Sequence, residues 1–177
     1  MAKKSELVDL HSSDLLTGAR AYYDAATVIL DKRRNASEAS GRGGARDDPI
    51  YFLLFHAMEL ALKAFLLSYN QSVQKTHDIK GLYEQCCTLG LRIGPEDRFS
   101  IGNVVTLLKG ANKQHGLRYF AAPSRVVPEL SWTCEVVEQL LQTIAPGIEA
   151  RSQQRAPRNR GLILTMTMEK PKPKTRA

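Results

Sequence analysis

Three ionisable side chains interrupt the most apolar stretch of the chain, Tyr51–Leu67. They are His56, Glu59 and Lys63. At about 100° per residue they fall within roughly 60° of one another on a helix, and apolar side chains fill most of the remaining circumference. A helix that is apolar nearly all round belongs inside a bundle. Its polar stripe must then be paired internally or face a partner, because an unpaired buried charge is too costly. Glu59 and Lys63 stand at i and i+4 in the order that favours pairing. The stripe reads either as a polar seam holding bundle register or as a polar pocket. A second group, Thr76-His77-Asp78, precedes another helical pattern. Thr76 offers an oxygen to free helix N–H groups and Asp78 complements the dipole, so capping accounts for two of the three. A third group is basic: Lys109, Lys113, His115 and Arg118. An imidazole can move a proton near neutral pH, and the cations beside it can stabilise charge building on a phosphate. A solvated basic loop is the plainer reading of the same residues.

Other chemistries lack their signatures. Gly41-Arg42-Gly43-Gly44 follows no strand pattern and leads to no Lys-Ser or Lys-Thr, so it reads as a linker. Cys86 and Cys87 are adjacent and Cys134 is distant. This is neither metal nor redox spacing, and reduced cysteines suit a cytoplasmic protein. No nucleophile-elbow pattern occurs. The sequence calls for no metal and no cofactor.

The elements that must position these residues are helices. Ser12 and Ser13 can cap a first helix to about Arg34, with Leu15, Leu16, Ala19, Tyr22, Tyr23, Ala26, Ile29 and Leu30 at helical spacing. Residues 35–48 read as a long loop, and Pro49 suits the first turn of the central helix. Thr76 or Asp78 caps a third helix ending near Leu89, where Gly90 is the stop signal. Pro95-Glu96-Asp97 opens a fourth, with Ile101, Val104, Val105 and Leu108 as its apolar face. After a loop at 116–128, Glu129 begins a fifth helix, packing Trp132, Val136, Val137, Leu140, Leu141 and Ile144. Pro146-Gly147 is expected to end or fray it. Residues 161–168 read as a strand, a dimer arm or no element at all, since short apolar stretches are ambiguous. His56, Glu59 and Lys63 break the central apolar run, so no membrane span is expected.

The 177 residues suit one domain and a tail. Residues 1–150 hold 17 basic and 17 acidic side chains, whereas residues 151–177 hold eight basic against Glu169 alone. The whole excess of +7 therefore lies in the tail. Arg151, Arg155, Arg158 and Arg160 are its candidate phosphate contacts, together with Lys109, Lys113 and Arg118 in the domain. The expected architecture is all-α: a bundle of about five antiparallel helices over 1–150, then a basic, flexible, mostly irregular tail over 151–177.

His56-x-x-Glu59-Leu60-x-x-Lys63, followed by Thr76-His77-Asp78-Ile79-x-x-Leu82, resembles the paired helices of the HEPN superfamily. Such helical-bundle domains occur in bacterial toxin–antitoxin and defence systems and in RNA processing. The resemblance implies a homodimer that binds RNA, a nucleotide, or a nucleotidyltransferase-type partner. It also implies contact between His77 and Glu59 across the loop. Catalytic members carry Arg, four to six residues, then His, and cut RNA without a metal. Here Lys109 stands in the arginine's place before His115, and lysine lacks the planar bidentate grip. The expectation is therefore a non-catalytic binding protein. The alternatives are a degenerate ribonuclease using His115, Lys109 and Arg118, and a structural dimerisation module.

Overall fold

The computed structural model describes residues 11–40, 47–73, 76–93, 101–112, 117 and 126–155, with side chains omitted at 36–40 and 155. Among them are five helices and no strand: α1 Ser12–Ser40, α2 Asp48–Ser68, α3 Ile79–Thr88, α4 Ile101–Ala111 and α5 Leu130–Arg155. The Pro95-Glu96-Asp97 opening and the 161–168 stretch lie outside the described residues.

The apolar spacing of α2 sets the architecture. Ile50, Leu54, Phe55, Met58, Leu62 and Leu66 are essentially sealed from solvent. The Cβ position of Gly18 lies 3.3 Å from the Leu60 side chain, the rings of Tyr22 and His56 are 5.4 Å apart, and Arg33 reaches Asp47 at 2.7 Å. Rising numbers on α1 thus meet falling numbers on α2, and the two helices are antiparallel. On the other flank, Arg20 meets Glu149 at 2.9 Å and Ser12 meets Ser152 at 3.4 Å. The Tyr51 hydroxyl donates to the Pro128 carbonyl at the start of α5, and Arg151 lies over the Tyr69 ring near its end. So α5 runs parallel to α2 and antiparallel to α1, and α3 and α4 close the remaining side.

By length and composition α2 could cross a membrane, despite its charged stripe: its most apolar window has a mean hydropathy of 1.7. Yet 67% of that window is buried among neighbouring helices. Burial, rather than the three ionisable residues, marks it as a core helix.

Local chemistry explains the helix ends. Asn70 adopts φ 60°, with Asn70 N–H donating to the Leu67 carbonyl and Gln71 N–H to that of Leu66. Gly90 repeats the device at φ 92°, bonding Cys87, while Leu91 bonds Cys86. Both are left-handed stops of the Schellman type. Pro49 sits in the first turn of α2.

Two expected boundaries move. α1 continues past Arg34 to Ser40. The stretch Asn35–Ser40 contains Ala36, Glu38 and Ala39, which sustain a helix until the glycines begin. α5 runs through Pro146-Gly147 to Arg155 instead of ending there. Proline removes one internal bond, but tertiary anchors replace its worth: Ile148 is fully buried, and Glu149, Arg151 and Ser152 hold α1 and α2. The expected boundary at 150/151 therefore falls inside a helix, and Arg151 and Arg155 belong to α5 rather than to an irregular tail. Burial extends across all five helices, and α2 is its axis.

Candidate functional site

The centre of the polar cluster is the Glu59 carboxylate, whose side chain is 4% exposed. One turn along α2, Lys63 Nζ donates to its Oε1 at 2.6 Å. The chain leaves α2 through the left-handed Asn70 and returns to bring His77 alongside. His77 Nδ1 lies 3.1 Å from Oε1 and 3.0 Å from Oε2. The expected contact between α2 and the entry to α3 therefore exists. His56 Nδ1 is 3.8 Å from Oε2, within a setting of aromatic rings. Its imidazole stands edge-on to Phe52 at 4.5 Å and to Phe55 at 5.9 Å, with Tyr22 at 5.4 Å. One buried carboxylate is thus surrounded by an ammonium and two imidazoles.

His77 differs from the others in exposure. Its side chain is 57% accessible, whereas those of Lys63 and His56 are 13% and 15%. A neutral imidazole held by a carboxylate through Nδ1 carries its proton there and leaves Nε2 as an acceptor. The pairing can orient a proton-transfer group, and it can equally clasp two helices.

Thr76 and Asp78 act as local scaffolding. Thr76 Oγ1 accepts from the Asp78 N–H at 3.0 Å. Asp78 caps α3, its Oδ1 accepting from the Lys80 and Gly81 N–H groups, each at 3.2 Å. The same oxygen meets Lys109 Nζ at 2.8 Å. That bond, above all, holds the Asp78 carboxyl below its ordinary range, with the cap amides acting the same way against partial desolvation. His77 and Asp78 are adjacent in sequence yet fasten different helices, α2 through Glu59 and α4 through Lys109.

The sequence-derived residues divide accordingly. His56, Glu59, Lys63 and His77 come together, and Thr76 and Asp78 organise the entry to α3. Lys109 joins that entry through Asp78, a link sequence reading missed. The pair is separated by 31 positions (109 less 78), and neither residue type signals the other. Lys113, His115, Arg118, Arg158 and Arg160 lie outside the described residues. Arg151 is engaged internally, its guanidinium 3.9 Å from the Tyr69 ring centroid and 3.3 Å from Ser68 Oγ. Among the described residues no group of three or more His, Cys, Asp or Glu side chains is arranged to hold a metal ion.

A family model described as HEPN domain matches residues 13–144. No curated protein and no solved structure matches the chain.

Proposed function

The chain belongs to the HEPN domain family, and from that premise we propose that it works by binding rather than by catalysis. Its ligand is RNA or a nucleotidyltransferase-type partner, in a toxin–antitoxin or defence-type setting. It acts in the cytoplasm as a homodimer.

One observation carries the non-catalytic reading. The cation standing where catalytic relatives place arginine is Lys109, and its ammonium is bound to Asp78 at 2.8 Å. In the resting chain that carboxylate competes for the ammonium, and a lysine in any case lacks the planar bidentate grip that an arginine would offer a phosphorane. The Glu59 cluster supports the same reading, because Lys63 and His77 satisfy its carboxylate and fasten α2 to the start of α3. The basic balance of residues 151–177 supports a polyanionic ligand.

The test is incubation of the purified full chain with labelled single-stranded RNA, with and without EDTA. Binding without cleavage is the expected result. Metal-independent cleavage abolished by His115→Ala would replace this reading with the ribonuclease alternative. Absence of RNA binding, with capture of a nucleotidyltransferase encoded nearby, would select the protein partner instead.

A further inference from the structure

The ion pair between α3 and α4 has an unusual distribution of bonds. A single oxygen, Asp78 Oδ1, takes both capping N–H groups at 3.2 Å and the Lys109 ammonium at 2.8 Å. The capping bonds are the longer ones, and they do not depend on the lysine. Removing Lys109 from the oxygen leaves α3 capped. Asp78 and Lys109 are also about half exposed, at 44% and 47% of their side-chain surfaces. A ligand can reach the pair without opening the core.

Lys109 lies in the last turn of α4, and its charge favours that end of the helix. Among the described residues its ammonium pairs with Asp78. In the first turn of α3, Lys80 is held more loosely, 3.9 Å from Glu84, with both side chains about half exposed or more. Two cations at this junction are therefore restrained by carboxylates in water-accessible pairs. Such pairs are worth little, and a phosphate oxygen accepts from ammonium at least as well as a carboxylate does.

We propose that the Asp78–Lys109 ion pair is an autoinhibitory contact, in which Asp78 occupies the ammonium that otherwise takes a phosphate of single-stranded RNA. While the pair is closed RNA does not gain Lys109, and Asp78 keeps its hold on α3 whether the pair is closed or open. This rests on the RNA-binding reading above and adds its regulation. Any change that removes the Asp78 charge without removing its cap releases the inhibition.

The experiment compares the full chain with Asp78→Asn, Lys109→Gln and the double variant, by fluorescence anisotropy with a labelled single-stranded RNA. Asparagine caps a helix as well as aspartate, so the fold is kept, and circular dichroism checks it. Asp78→Asn should bind about threefold tighter at low salt, the scale of an exposed ion pair. Its salt dependence should steepen by about 0.7 in log–log slope, for one added phosphate contact on a single strand. Lys109→Gln alone should change little, because its charge is masked, and the double variant should lose the gain. A gain that survives in the double variant overturns the proposal, since it then reflects net charge alone. Equal weakening by Lys109→Gln in both backgrounds overturns it too.

A second probe separates the two readings. Inorganic pyrophosphate is titrated while the Lys80 and Gly81 amide resonances are followed. If no variant binds RNA but Asp78→Asn responds at lower pyrophosphate, the RNA reading fails and the masked anion site stands. If RNA binds all four proteins alike, the RNA reading stands and the masking is wrong. No response to either probe overturns both.

Discussion

Replacing Glu59 by glutamine keeps the volume and removes the charge on which three side chains converge. Lys63 Nζ at 2.6 Å, His77 Nδ1 at 3.0 Å and His56 Nδ1 at 3.8 Å lose their anionic partner together. Breaking a buried ion pair from one side costs about 3–5 kcal/mol, mostly from the charge left behind. Two features lower that figure here. His77 is 57% exposed and can turn to water, and the Lys63 head group can extend along its stem toward solvent. A glutamine oxygen can also still accept one bond. The expected loss is about 2–3 kcal/mol. For a domain of this size that corresponds to a fall in Tm of roughly 4–12 °C. Thermal melts and urea titrations followed by circular dichroism measure it. The cause is isolated by Glu59→Gln/Lys63→Met, which removes the orphaned ammonium and should recover at least half of the loss. A Tm that moves by less than about 1 °C on Glu59→Gln would refute the reasoning, because the cluster would then contribute nothing net. A double variant no better than the single one would mean that the orphaned lysine is not the source of the cost.

Three other outcomes follow from geometry already described. The Glu129 carboxylate accepts from the Trp132 N–H and from the Ser131 N–H and hydroxyl, and these bonds hold its carboxyl down from an ordinary 4.5 to about 2. A depressed carboxylate contributes stability that is full above its ordinary value and lost as pH falls through the folded one. The Tm difference between wild type and Glu129→Gln should therefore vanish between pH 5 and pH 2, and a difference constant over that range would contradict the cap. Arg151→Ala removes the stack on Tyr69 and the bond to Ser68, at a cost of about 1–2 kcal/mol. Amide exchange should rise in the last two turns of α5, and a chain cut after residue 149 should melt below one cut after residue 155. Burial pushes the Cys86 thiol up to about 12 and raises that of Cys134 as well. Iodoacetamide at pH 8 should label Cys87 first in the folded protein and all three in urea, and equal labelling of Cys86 and Cys87 without urea would count against this packing.

Where signals are local, the sequence and the structure agree. The apolar run of α2, the Asp78 cap and the Gly90 stop are each set by residues within a turn or two, and each lies where local chemistry puts it. The stripe of His56, Glu59 and Lys63 was legible from helical spacing, while its meeting with His77 needed the family resemblance. Long-range decisions were not legible. Proline at 146 argues locally for a helix end, and the bonds that override it come from Ser12, Arg20 and Tyr69, all at least 75 positions away. The junction of Lys109 with Asp78 is hidden for the same reason: a capping aspartate and a lysine in a last turn each look complete alone. The HEPN match establishes family and fold class, and the choice between binding and catalysis depends on that junction and on residues beyond α4.

The closure of α5 onto Ser12 also bears on how the chain is born. Ser12 and Ser152 touch, yet 140 residues separate them. At roughly 5–20 residues per second, a ribosome delivers the second partner about 7–28 s after the first. Helices α1 and α2 can pair early, because they are neighbours along the chain. The apolar flank of α2 that α5 will cover has to wait. During synthesis this face is a transient sticky edge, open to chaperones and to other nascent chains. The arrival of α5, from Val136 to Ile148, covers it, so the helix that completes the bundle also ends that exposed interval.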